Sequence, residues 1–383
     1  MKQSVIFLTI LLLSSLSNGQ EPQYESLWKT VEKHELAGLP KSALQVVNQI
    51  SVLAKKDKND AQLIKTMLYK SKFALVLEED AQLTIINDFK SEIERSAFPT
   101  KNILESMLAN LYWQYFNQNR WQFYNRTNTS ENGNDEDFRT WDLQTLFQGI
   151  HLHYQKSLEN GLMLQLEPLG KYDVILNLQK DSKIYRPTLF DFLNHNALEF
   201  YKTPETSIAK PAYKFEIDKP AFLADAITFS NLDITSKDAA SLQRNALKIY
   251  QDLMQFHLKD NEPFALAAIN IERLKFVSQH AIFNDKEALL LEALKTERDK
   301  LKTHEVTGLY AFEIASIYVQ QSNEYQPLKN DEKRWKAKEA VALCDQVMAG
   351  FPKSKAAEKC EALKAKILMQ SLQITTERFL PIQ

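Results

Sequence analysis

Apolar residues recur three and four positions apart along almost the whole chain, the spacing that gathers side chains on one face of an α-helix. This pattern predicts helices over 24–37, 41–56, 60–77, 81–94, 100–119, 141–159, 188–201, 238–258, 262–280, 285–302, 306–321, 331–349 and 354–371. Only the last stretch, SLQITTERFLPIQ, moves towards alternation, and it predicts the start of a β-strand within 372–383. The expected class is all-α with a short β-prone segment at the C-terminus.

The breaks between helices repeat. Gly38-Leu39-Pro40-Lys41-Ser42 returns as Gly350-Phe351-Pro352-Lys353-Ser354, with a looser copy in Ala97-Phe98-Pro99-Thr100-Lys101. Glycine suits the left-handed residue that ends a helix, and proline suits the first turn of the next. The large apolar residue between them is expected to pack back on the helix it leaves. Each joint therefore predicts an antiparallel helix hairpin. Trp28, Gly38 and Ala43 in the first pair echo tetratricopeptide-type repeats, as do Ala340, Cys344, Phe351, Pro352 and Ala357 in the last. No strict period runs between them, so the expected architecture is an irregular, TPR-like α-solenoid.

Two stretches interrupt the helical pattern. Residues 125–137, NRTNTSENGNDED, read as a polar loop. The segment from Lys202 to Thr235, with Pro204, Pro211 and Pro220, reads as an extended connection packing through Tyr213, Phe215 and Ile217. The expected organisation is a leader over 1–19, a helical half over 20–202, a connection over 203–235, a second helical half over 236–371 and the start of a β domain over 372–383.

Composition agrees with helices: 383 residues hold only 8 glycines and 12 prolines. The formal charge is −2 and no basic stripe appears, which argues against a nucleic-acid partner. The N-terminus, MKQSVIFLTILLLSSLSNGQ, has a basic start, an apolar run from Val5 to Leu13 and small residues Ser17 and Gly19 before Gln20. That is the pattern of a secretory signal peptide. The chain is expected to be exported, to a periplasmic, cell-envelope or extracellular location, with no membrane span.

Chemistry-bearing residues are few. Cys344 and Cys360 lie eight residues either side of Pro352, at similar heights in a hairpin centred there. In an oxidising compartment they form either a disulfide or two buried thiols. His151 and His153 are two apart and point away from each other on a helix, so a shared metal is not expected. The sequence holds no H-E-x-x-H, G-x-S-x-G, Walker loop or dinucleotide fingerprint. Glu78-Glu79 and Asp135-Glu136-Asp137 read as solvated carboxylates, and Asn125-Arg126-Thr127 and Asn128-Thr129-Ser130 match glycosylation sequons. No catalytic residue, metal or cofactor is expected. The densest feature is LANLYWQYFNQNRWQFYNRT, Leu108 to Thr127. Tyr112, Trp113, Tyr115, Phe116, Trp121, Phe123 and Tyr124, with Trp141 beyond, form either an aromatic core or a partner-binding surface. Arg120 and Arg126 are placed to cover ring faces.

At these residues a family resemblance enters. LYWQYFNQNRWQFYNRT followed by DFRTWDLQTL resembles the N-terminal helical region of bacterial alpha-2-macroglobulin family proteins. YESLWKTVEKHELAGLPKSALQVVNQI, IYRPTLFDFLNHNALEFY, PAYKFEID, ALKIYQDLMQFHLKDN, IERLKFVSQHA and ALCDQVMAGFPKSKAAEKCEALKAKI are similar to it in the same order. The resemblance implies a large secreted or envelope protein that inhibits endopeptidases by trapping them. The trap elements of that family, a bait segment and a C-x-E-Q thioester, are not found here, and LQITTERFLPIQ resembles the entry to the first β domain. The implied role is a non-enzymatic scaffold or interaction region, contributing to inhibition only within a full-length protein. Its partners would be the remaining macroglobulin domains or an envelope protein. The alternative is a stand-alone periplasmic TPR-like module that binds peptide or glycan.

Overall fold

The structure is a computed structural model, which describes residues 22–124, 137–204, 213–301, 303–326 and 331–369. The leader, the sequons, Arg126 and the strand-like end over 372–383 lie outside the described residues. The protein is all-α. Among the described residues there is no strand, only an isolated antiparallel bridge between Pro168 and Thr188. No helix there is long and apolar enough to cross a membrane. The chain divides into two compact units, Met1–Lys210 and Pro211–Gln383.

In the first unit, α1 (22–36) is followed by α2 (Pro40–Asp57), α3 (Asp60–Leu77), α4 (Ala81–Arg95), α5 (Thr100–Tyr124) and α6 (Leu143–Ser157). From α2 to α6, each helix packs on its neighbour in sequence. The cause is visible in α2, where Ala43, Val47, Ile50 and Ala54 form one buried stripe against Tyr24 and Val31 of α1 and Leu63 and Phe73 of α3. Beyond α6 come the short α7 (Gly161–Leu166) and α8 (Ser182–Tyr185), then α9 (Leu189–Tyr201), which packs on α5 and α7. Thr188 and Asp191 start α9 with a reciprocal capping box.

The three helix joints share a sequence but not a mechanism. Gly38 has φ +68, its amide bonds to Glu35 and the Leu39 amide to His34, and Pro40 opens α2, as expected. Leu39, however, is exposed rather than packed back. Gly350 is itself the last residue of its helix, and Ser354 rather than Pro352 opens the next one, its hydroxyl accepting from the Ala357 amide. Pro99 follows a cis peptide bond and precedes Thr100, the first residue of α5.

The second unit starts with residues expected to be only an extended connection. Residues 214–219 have no regular structure, but Pro220–Leu223 forms a 3-10 turn and α10 spans Ala226–Ser230. Asp225 causes the second of these, since its carboxylate accepts from the Ile227 and Thr228 amides. Helices α11 (Leu242–His257), α12 (Phe264–His280), α13 (Lys286–Lys300), α14 (Thr307–Ser322), α15 (Lys336–Gly350) and α16 (Lys355–Leu368) follow, each packed on the one before. Gly308 permits the close approach of α14 to the last pair. A Cβ there would lie 2.7 Å from the Ala356 Cβ and 2.9 Å from a Val347 methyl.

Arg273 of α12 is fully buried. Its guanidinium donates to the carbonyls of Phe222 (2.8 Å) and Ala224 (2.9 Å) and to the Asn270 side chain, and it lies over the Phe229 ring at 4.5 Å. Burial pushes its pKa down to about 10. The group thus pins the 220–224 turn to α12. Arg273→Met should leave those acceptors unpaired and lower stability by about 2–5 kcal/mol. Arg273→Lys should not restore it, since one ammonium lacks the fork geometry. Urea unfolding checks this, and an unchanged midpoint would contradict it.

Candidate functional site

The aromatic segment lies on α5, facing α6 and α9. Trp113 contacts Phe116 (5.3 Å), Phe147 of α6 (5.9 Å) and Phe200 of α9 (5.4 Å) between ring centroids. Tyr112 meets Phe138 at 5.3 Å and Trp141 at 5.4 Å, and Tyr115 meets Phe138 at 4.8 Å. Gly149 makes room for the indole, since a Cβ there would lie 3.1 Å from the Trp141 ring. These contacts, stacked for Trp113 on Phe116 and tilted or edge-on for the others, are those of packed rings.

The two sequence readings of the segment divide by residue. Tyr112, Phe116 and Phe123 are buried, and Trp113, Tyr115 and Trp141 are half-buried. Trp121 and Tyr124 are exposed, by 67% and 52%. The helix expected to end near 119 continues to Tyr124, with non-helical dihedrals only at Asn119, whose side-chain amide donates to the Tyr115 carbonyl. Phe123 comes seven residues after Phe116 and shares its face, while Trp121 comes five after and does not. Arg120 covers the Phe116 ring at 5.9 Å.

Several polar groups beside this core pair with protein partners. His151 and His153 diverge: Nδ1 of His151 pairs with the Tyr201 hydroxyl of α9 at 2.8 Å, and Nδ1 of His153 with the buried Glu105 of α5 at 2.5 Å. Asn102 donates to the carbonyls of Ser157 and Glu159, tying α5 to the end of α6. Burial holds His151 below its ordinary value and pushes the Tyr112 and Tyr201 hydroxyls up. The Tyr112 hydroxyl is buried with no hydrogen-bond partner among the described residues. No group of three or more His, Cys, Asp or Glu side chains that could hold a metal occurs there either.

In the second unit, Cys344 of α15 and Cys360 of α16 are both buried thiols. An open groove of about 250 Å³ is lined by Leu223, Leu289, Asp225, Glu292 and Glu297 among others. Lys300 offsets its charge, 2.9 Å from Glu297 and 3.9 Å from Asp225.

A feature missed in the sequence lies on α6 and the segment that joins it to α9. Leu152, Leu162, Met163, Leu166, Val174 and Ile184 are all exposed, Leu162 by 79% and Leu166 by 84%. The signal was the run GLMLQL, too apolar for a loop and too short for a periodic helix.

Comparison with known proteins returns no relative: no family model matches the chain, and neither a curated protein nor a solved structure is significantly similar to it. Functional argument therefore rests on the residues.

The two tryptophans of α5 should respond differently to truncation. Trp113→Ala should cost about 2–4 kcal/mol, since it opens a gap among three packed rings, whereas Trp121→Ala should stay within about 0.5 kcal/mol. Thermal melts of the two variants check this.

Proposed function

We propose that this chain is an exported, non-enzymatic helical scaffold that docks protein partners, equivalent to the N-terminal helical region of an alpha-2-macroglobulin-like protein. Within a complete protein of that kind it contributes to endopeptidase inhibition by holding other domains. The observation that carries the docking role is the set of exposed aliphatic side chains within 152–184. Apolar surface left in water at this density is a mark of protein contact. The alternative, a stand-alone module for peptide or glycan, draws on the exposed Trp121 and Tyr124 instead. The ordered similarity of segments from YESLWKTVEKHELAGL to ALCDQVMAGFPKSKAAEKC favours the macroglobulin reading.

If the reading frame runs on past codon 383, the polypeptide it encodes, expressed separately, is the partner to use, and a stop codon there counts against the proposal. The two should associate in size-exclusion chromatography and calorimetry. Leu162→Asp with Leu166→Asp should weaken association at least tenfold, about 1.4 kcal/mol, while leaving the melting temperature within a few degrees. Association that ignores both substitutions, or no association, would count against the proposal. Retention on peptide or glycan arrays that Trp121→Ala abolishes would support the alternative.

A further inference from the structure

The last helix pair, α15 and α16, forms an antiparallel hairpin. On α15 the buried residues are Ala340, Cys344 and Val347, and on α16 they are Ala356, Ala357 and Cys360. These are small and medium side chains, and Val347 and Ala356 among them also meet α14 at Gly308. The connection is just 351–354, which fixes the register, and both cysteines are eight residues from Pro352. An ion pair across the hairpin holds the same level: Lys364, one turn beyond Cys360, reaches Asp345, next to Cys344, at 2.6 Å. Cys344 and Cys360 are both fully buried, and each thiol is the leading influence on the other's titration, as expected of neighbours. Neither faces a metal-capable cluster among the described residues.

From this geometry we propose that Cys344 and Cys360 are a disulfide site, a covalent staple of the α15–α16 hairpin that closes when the chain folds in an oxidising compartment. The inference uses the export reading only to supply that compartment; the pairing itself rests on the hairpin. The oxidant is a small-molecule or protein disulfide. The Cys344 thiolate attacks one sulfur of it, forms a mixed disulfide and releases one thiolate, which takes up the Cys344 proton. The Cys360 thiolate then attacks the Cys344 sulfur and expels the second thiolate, which takes up the Cys360 proton. Two electrons pass from the cysteine pair to the oxidant, which leaves as two thiols. Interaction between the two neighbouring thiols lowers the Cys344 pKa and raises that of Cys360, so Cys344 is the first attacker.

The test is made on the full chain refolded from urea in a buffer of oxidised and reduced glutathione, independent of any export. After acid quench, denaturation and maleimide labelling, the refolded protein should take no label. After reduction it should take one label on each cysteine. Its melting temperature should exceed that of the reduced protein by several degrees. Cys360→Ser should instead retain glutathione on Cys344, and the Cys344→Ala, Cys360→Ala double variant should melt identically with and without reductant. Two labels per chain without reduction would overturn the proposal, as would equal melting of the two redox forms. Failure here would leave the docking proposal untouched, and success would not establish it.

Discussion

Burial of one apolar stripe per helix against helices nearby in sequence is the constraint on which both units depend. A helix satisfies its interior backbone donors and acceptors internally, so side-chain packing alone joins it to the rest. In the first unit the seam between α5 and α6 does most of this, with Tyr112, Phe116, Leu146 and Ile150 all removed from water. α9 adds Phe200 and Tyr201 to the same cluster. The aromatic density that first suggests a binding platform is thus explained largely by packing.

Packing of this kind brings polar groups inside, and several of them are held by specific partners, although the Tyr112 hydroxyl is not. Glu105 is buried because His153 meets it, and Asn102 because two carbonyls at the end of α6 accept from it. Arg273 performs the corresponding task in the second unit, joining an irregular turn to α12 where no helical stripe could. Such groups cost more when one partner is lost than they contribute when both are present. They fix particular arrangements rather than supply bulk stability.

Much of the fold was legible in the sequence, and the exceptions have causes. The long helices followed from period 3.6; several, including α3 over Asp60–Leu77, begin and end within one or two residues of expectation. The helical turns at Pro220–Leu223 and Ala226–Ser230 were not legible, because a turn or two of helix is shorter than the period that reveals it. Extending the helical period past 119 would have placed Trp121 outside and Phe123 inside. Arg273 was hidden because a charged residue in a helix is ordinarily a solvated one, although it shares a face with Ile269 and Val277. The exposed leucines of α7 were hidden for the converse reason, since apolar residues are ordinarily buried.

The proposed role rests on those side chains: packed aromatics organise the first unit, and its exposed aliphatic residues within 152–184 are where docking is proposed. The most direct measurement is the mass of the native product in the exported fraction of its source cells, with the reading frame beyond codon 383. The account predicts a frame that continues into β-sandwich domains and a product far heavier than 44.3 kDa. A stop codon there, with a product close to the mass of the signal-cleaved chain, would contradict it.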